Sequence, residues 1–186
     1  MKQRAAITVD LHTTSIFLMS IRSLFLALTL PAASVTSAQT ISDQAAKDEI
    51  VRMSNEEPAM RKAFARAAQT LPEFLALAAK PKEGTSNYAL KVAISDGNNT
   101  EYFWVTEFSN RSDLFSGTLN NEPRLVKNRK LGDHITFRRA QIVDWTYIDK
   151  VNGKTVGNFT ACALLSKEPP AQAEAFMRQY GLSCEQ

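Results

Sequence analysis

YALKVAISDGNNTEYFWVTEF, from Tyr88 to Phe108, is the stretch that decides the fold. Tyr88, Leu90, Val92 and Ile94 alternate with Ala89, Lys91 and Ala93, the period of a strand with one buried face. Asp96-Gly97-Asn98-Asn99 carries the chemistry of a hairpin turn. Glu101 to Phe108 then reads as the return strand, rich in aromatics. Working outward, Leu114 to Asn120 predicts a third strand, broken by Asn121-Glu122-Pro123. Gly132-Asp133 turns into a fourth from His134 to Arg138, and Ile142 to Ile148 is a fifth, followed by an Asn152-Gly153 turn.

Upstream the period changes. Met60, Phe64, Ala67, Leu71, Leu75 and Ala78 recur at helical spacing and share one face. Ser54 or Asn55 is placed to cap this helix, with Pro58 in its first turn. Pro72 lies inside it, lacks an N–H and crowds the preceding turn, which predicts a kink or two abutting helices. Downstream, Asn158 to Ser166 is ambiguous by pattern. Phe159, Cys162, Ala163 and Leu165 favour a helix there. A last helix is expected from Pro170 to Tyr180, with Gly181 as its stop. The fold class expected is α+β: an antiparallel sheet of about five strands with helices packed on one face.

Residues 1–38 read as a secretory signal. Arg22 supplies a positive flank, Ser23 to Ala33 an apolar run, and Thr36-Ser37-Ala38 small residues for cleavage before Gln39. The run is shorter than the ~20 residues a membrane-spanning helix needs. Asp10 and His12 suit such a leader poorly, so Met19 is the expected start. Residues 39–55 read as a polar lead-in and 56–186 as a single domain. The formal charge of the chain is +3, of which Lys2, Arg4 and Arg22 against Asp10 place +2 in the leader. What remains is no nucleic-acid signature. Export bears on Cys162 and Cys184, since an oxidising compartment permits a disulfide between them, contributing roughly 3 kcal/mol. The alternative is two independent thiols, with Cys162 in the core.

Catalytic and metal chemistry find little support. His134 is the sole histidine after the leader, and the cysteines lack zinc spacing. No G-x-S-x-G elbow, P-loop or G-x-G-x-x-G occurs. Arg124, Lys127, Arg129 and Lys130 form a basic connection that either binds an anion or is simply solvated. Asp144-Trp145 is the most informative pair. Alternation turns Trp145 and Tyr147 to one face and Asp144 to the other. If that second face is buried, Asp144 needs a donor from Arg124, Arg138 or a backbone N–H. It is then either a polar staple or a cleft carboxylate.

Several motifs follow one another in order: Glu101-Tyr102-Phe103-Trp104-Val105, Phe115-Ser116-Gly117-Thr118, Asn120-Asn121-Glu122-Pro123, Leu131-Gly132-Asp133, Ile142-Val143-Asp144-Trp145 and Gly157-Asn158-Phe159-Thr160. As a set they resemble the YegJ-like domain of unknown function, over about Pro58 to Ser166. The resemblance implies a small bacterial α+β domain, often exported, and carries no catalytic residues with it.

Together these readings predict an exported bacterial protein, periplasmic or secreted, acting as a non-enzymatic binding or protein-interaction module. Its partner would be an envelope protein or small ligand, with no cofactor, no metal, no nucleic acid and no transmembrane segment after the leader. The expected site is the face or edge holding Trp104, Asn121, Arg124, Asp144 and Trp145. Two other classes are a small envelope hydrolase, with Asp144 or Asp133 working with His134, and an immunity-type inhibitor of a secreted toxin.

Overall fold

The computed structural model describes Asn55 and residues 57–184. The leader, the lead-in up to Ser54 and the proposed Ser54 cap lie outside the described residues. Among the described residues helix α1, Pro58–Ala79, comes first, with Glu57 at its N-cap position and Pro58 in its first turn. Six strands come after it: β1 (Thr85–Asp96), β2 (Asn99–Arg111), β3 (Leu114–Leu119), β4 (His134–Arg138), β5 (Ile142–Asp149) and β6 (Lys154–Gly157). Helices α2 (Phe159–Leu165) and α3 (Pro170–Tyr180) lie beyond β6.

The strands form one antiparallel sheet in the order β4-β3-β2-β1-β5-β6. The architecture is α+β, as the alternation predicts, with six strands in place of about five. The sixth, Lys-Thr-Val-Gly, is too short to alternate, and only its pairing with Thr146 to Asp149 defines it as a strand. Pro72 neither divides α1 nor ends it: one continuous helix carries the proline, whose ring is exposed. Met60, Ala63, Ala67, Leu71 and Phe74 are buried on both sides of Pro72, so one apolar face continues past it. Fully burying Phe74 alone contributes roughly 2–3 kcal/mol.

The core gathers the α1 stripe with Leu90 and Val92 of β1, Phe103 and Val105 of β2, Phe115 and Leu119 of β3, and Ile135 and Phe137 of β4. Trp145 anchors α1 to the sheet. Its indole Nε1–H is shared between the Ala67 carbonyl and Thr70 Oγ1, both at 3.2 Å, and its ring stacks on Phe74 at 4.8 Å. The pairing departs from regularity at three places. β2 bulges between Thr106 and Ser109, where Glu107 takes φ 49°. Gly117 lies against that bulge, and a Cβ there would come within 2.6 Å of Val105 and 2.9 Å of the Thr106 carbonyl. The β1–β5 register shifts twice, between Ser86 and Ala89, where Asn87 takes φ 55°, and from Lys91↔Asp144 to Val92↔Ile142.

Beyond the sheet, Gly181 stops α3 in the left-handed region at φ 61°. Leu182 then forms a bridge with Thr155 of β6, and Cys184 is disulfide-bonded to Cys162 of α2, with 5.4 Å between their Cα atoms.

Candidate functional site

The register Trp104↔Lys91↔Asp144 places three polar-tipped residues in one row across β2, β1 and β5. Asp144 is fully buried. Its Oδ1 accepts from the N–H groups of Trp145 (2.8 Å) and Phe159 (3.2 Å). Its Oδ2 accepts from the Thr160 N–H (2.8 Å) and the Thr160 hydroxyl (2.7 Å). The first amides of α2 have no partner within their own helix, so the carboxylate completes that helix from a neighbouring strand.

The chain reaches this arrangement through Gly157 and Asn158, both left-handed at φ 80° and 56°. A Cβ on Gly157 would collide with the Trp145 carbonyl and ring. That carbonyl accepts the Asn158 N–H at 2.8 Å. The motifs Asp144-Trp145 and Gly157-Asn158-Phe159-Thr160 are therefore two halves of one clasp.

Lys91 completes it. The residue as a whole is half-buried, but its ammonium is enclosed. Nζ donates to Thr160 Oγ1 at 2.9 Å and lies 5.1 Å from the centre of the Trp104 ring, a cation–π contact. The Thr160 hydroxyl thus bridges ammonium and carboxylate. Burial pushes the Asp144 carboxyl above the usual carboxylate range, opposed by the Lys91 charge and by the Thr160 and Trp145 donors. Burial likewise lowers Lys91, opposed by Asp144.

With two donors on each oxygen, the four acceptor positions of the Asp144 carboxylate are filled. Taking up a substrate proton would mean giving up one of these internal hydrogen bonds. His134 stands on β4, four strand spacings from β5, roughly 19 Å away. The hydrolase pairing of Asp144 with His134 is therefore not assembled. Asp133 spends its Oδ2 on the Lys130 N–H.

The five residues expected to share a face are divided. Asp144 and Trp104 are joined through Lys91 on one side, while Trp145 belongs to the core on the other. Alternation along β5 separates them. Asn121 and Arg124 belong to a second clasp. The Asn121 Oδ1 accepts the Trp104 N–H at 2.8 Å, and the Asn120 N–H donates to the Trp104 carbonyl at 2.8 Å. Glu101, 7% exposed, turns inward with Phe103 and Val105. Its carboxylate accepts the N–H groups of Arg124 (2.9 Å), Leu125 (2.8 Å) and Val126 (3.1 Å). The sequence reading missed Lys91, Thr160 and Glu101.

Beside the core end of Trp145, α1, β5, β6 and Phe159 enclose a groove of about 650 Å³. Phe74, Trp145, Tyr147 and Phe159 supply aromatic walls, and Arg66, Glu73, Lys80 and Lys82 stand at its rim. Tyr147 is only partly covered, stacks on Tyr88 at 5.3 Å, and has its hydroxyl raised in pKa by burial and by neighbouring Tyr88 and Asp149. Thr70, also on the lining, donates to the Arg66 carbonyl and accepts from Trp145. Among the described residues, no group of three His, Cys, Asp or Glu side chains is placed to hold a metal ion. No helix among them is long and apolar enough to cross a membrane.

A family model described as "Uncharacterized protein conserved in bacteria (DUF2314)" matches residues 57–184, which include both clasps and the groove. The chain belongs to that family. The DUF2314 match extends the likeness read at Pro58 to Ser166 through α3 to Cys184. The chain is also similar to a curated Escherichia coli protein described as "Uncharacterized protein YegJ", at 28% identity over 127 residues, 68% of this chain and 80% of the relative. No solved structure matches it.

Proposed function

We propose that this DUF2314 chain is an exported, non-enzymatic binding module that holds a ligand with an apolar body and a negative end in the α1–β5–β6 groove. The observation that carries the reading is the groove itself. Its volume lies within the roughly 300–1,000 Å³ of small-molecule sites. It joins aromatic walls to a rim bearing Arg66, Lys80 and Lys82 against one acid, Glu73. The two buried carboxylates, by contrast, are committed to backbone N–H groups. Export is supported by the leader read at residues 1–38 and by a cysteine pair suited to an oxidising compartment.

The groove is tested with the anionic aromatic dye anilinonaphthalene sulfonate. Dye fluorescence with the native protein should saturate, weaken with Lys80→Glu and Lys82→Glu together, and vanish when Val156→Trp fills the groove. Binding indifferent to all three changes would remove the groove from consideration. Export has its own test. Fractionation and N-terminal sequencing should find the chain outside the cytoplasm and beginning at Gln39; an unprocessed cytoplasmic chain would refute it.

A further inference from the structure

The connection from β3 to β4, residues 120–133, brings together charge, exposure and a fixed backbone. Arg124, Lys127, Arg129 and Lys130 fall within seven residues, and all four are exposed. Leu131 is next in the chain, 53% exposed, so an apolar side chain stands beside the cations. The backbone beneath them is held to the sheet. Glu101 takes the Arg124, Leu125 and Val126 N–H groups, Asp96 takes that of Lys127 (3.0 Å), and Asp133 takes that of Lys130 (3.1 Å).

The same contacts engage Glu101, Asp96 and Asp133, each of which spends carboxylate oxygen on main-chain amides, while Glu122 is the one exposed acid of this connection that makes no such contact. The Lys127 ammonium reaches the Arg124 carbonyl (2.7 Å), and the Arg129 guanidinium the Asn128 carbonyl (3.0 Å). Among the described residues, no ion pair involves Lys127, Arg129 or Lys130. Three cations and a leucine therefore project from an ordered platform.

We propose that this loop docks on an anionic lipid bilayer, its cations at headgroup phosphates and Leu131 in the interfacial layer. Each basic residue near such a surface strengthens binding by roughly fivefold, and a buried aliphatic side chain adds to that. Leu131 is what favours a bilayer over a soluble polyanion, because only the bilayer offers hydrocarbon to it. None of these residues lines the α1 groove, so docking and ligand binding use different surfaces.

The test is co-sedimentation of the purified protein with vesicles of phosphatidylglycerol mixed equally with phosphatidylcholine, against phosphatidylcholine alone. Binding should require the anionic lipid and weaken as salt rises. Lys127→Glu, Arg129→Glu and Lys130→Glu together should reduce it by at least about tenfold. Leu131→Ser should reduce it by about fivefold, with binding to dextran sulfate unchanged. Unaltered melting temperatures would show that the variants fold. Equal binding to both vesicle types would overturn the proposal. So would binding that ignores Leu131 and is matched by dextran sulfate, which would assign the loop to a soluble polyanion.

Discussion

Two buried carboxylates in this molecule perform similar tasks with different means. Asp144 on β5 and Glu101 on β2 each gather the N–H groups of a later segment, the start of α2 in one case and residues 124–126 in the other. Asp144 sits at 0% exposure, with a hydroxyl and, behind it, an ammonium in its surroundings. Glu101 gathers backbone amides on the margin of an exposed loop. A charge in a closed interior depends on every partner, because none can be replaced by water. A charge near the margin can exchange a lost partner for solvent. The Asp144 clasp is thus expected to be the brittle one, and the Glu101 clasp the local one.

Asp144→Ala is the sharpest way to break that contrast. It strands the Phe159 and Thr160 amides and the Lys91 ammonium, and should cost roughly 3–5 kcal/mol in urea unfolding. A cost below that of Glu101→Ala would reverse the ranking. Gly157→Ala attacks the same clasp from its other half. Its φ of 80° and the collision with Trp145 should cost about 3 kcal/mol. A well-tolerated alanine would mean that the turn can move away from Trp145.

Glu101→Ala should cost less, roughly 1–3 kcal/mol. Its signature is spatial: faster hydrogen exchange at Leu125 and Val126, with Phe159 and Thr160 unchanged. If exchange rises in both segments, the two clasps form one cooperative unit.

The smallest effect concerns an exposed carboxylate, which should behave unlike either clasp. The Asn152 side chain and N–H, with that of Val151, hold Asp149 below the usual carboxylate range. A depressed folded value means that the ionised form supports the fold above the unfolded value of 3.8, and that this support fades as pH falls through the folded value. The melting-temperature difference between wild type and Asp149→Asn should therefore shrink with acidification in that range. A difference constant from neutral pH to well below 3.8 would show that Asp149 acts without its charge.

Much of this scaffold was legible because alternation is a local signal. Tyr88 to Ile94 and Glu101 to Phe108 state their buried faces residue by residue, and β1 and β2 form around them. β6 was not legible, since four residues without alternation become a strand only through their partner. The need of Asp144 for a donor followed from its neighbour Trp145, and backbone N–H groups were among the donors named. Lys91 was hidden for a different reason. On its own strand it occupies the solvated phase of the pattern, and only the register beside Asp144 turns it inward. Glu101 does carry a local signal, a carboxylate in phase with the buried Phe103 and Val105. The groove could not be read at all, because it exists only where α1 crosses β5.

The bridge from Leu182 to Thr155 has a consequence for the order in which the molecule can be finished. The outer edge of β6 is sealed by the Thr155 N–H to the Gly181 carbonyl at 2.9 Å, and by the Thr155 hydroxyl to the Tyr180 carbonyl. Those partners come later in the chain than every strand of the sheet, so the ribosome adds them after the sheet is otherwise complete. Until they arrive the sheet has an unsealed border, open to pairing with another chain. A nascent chain is therefore incomplete as a surface, as well as a length, until the turn at Gly181 has been delivered.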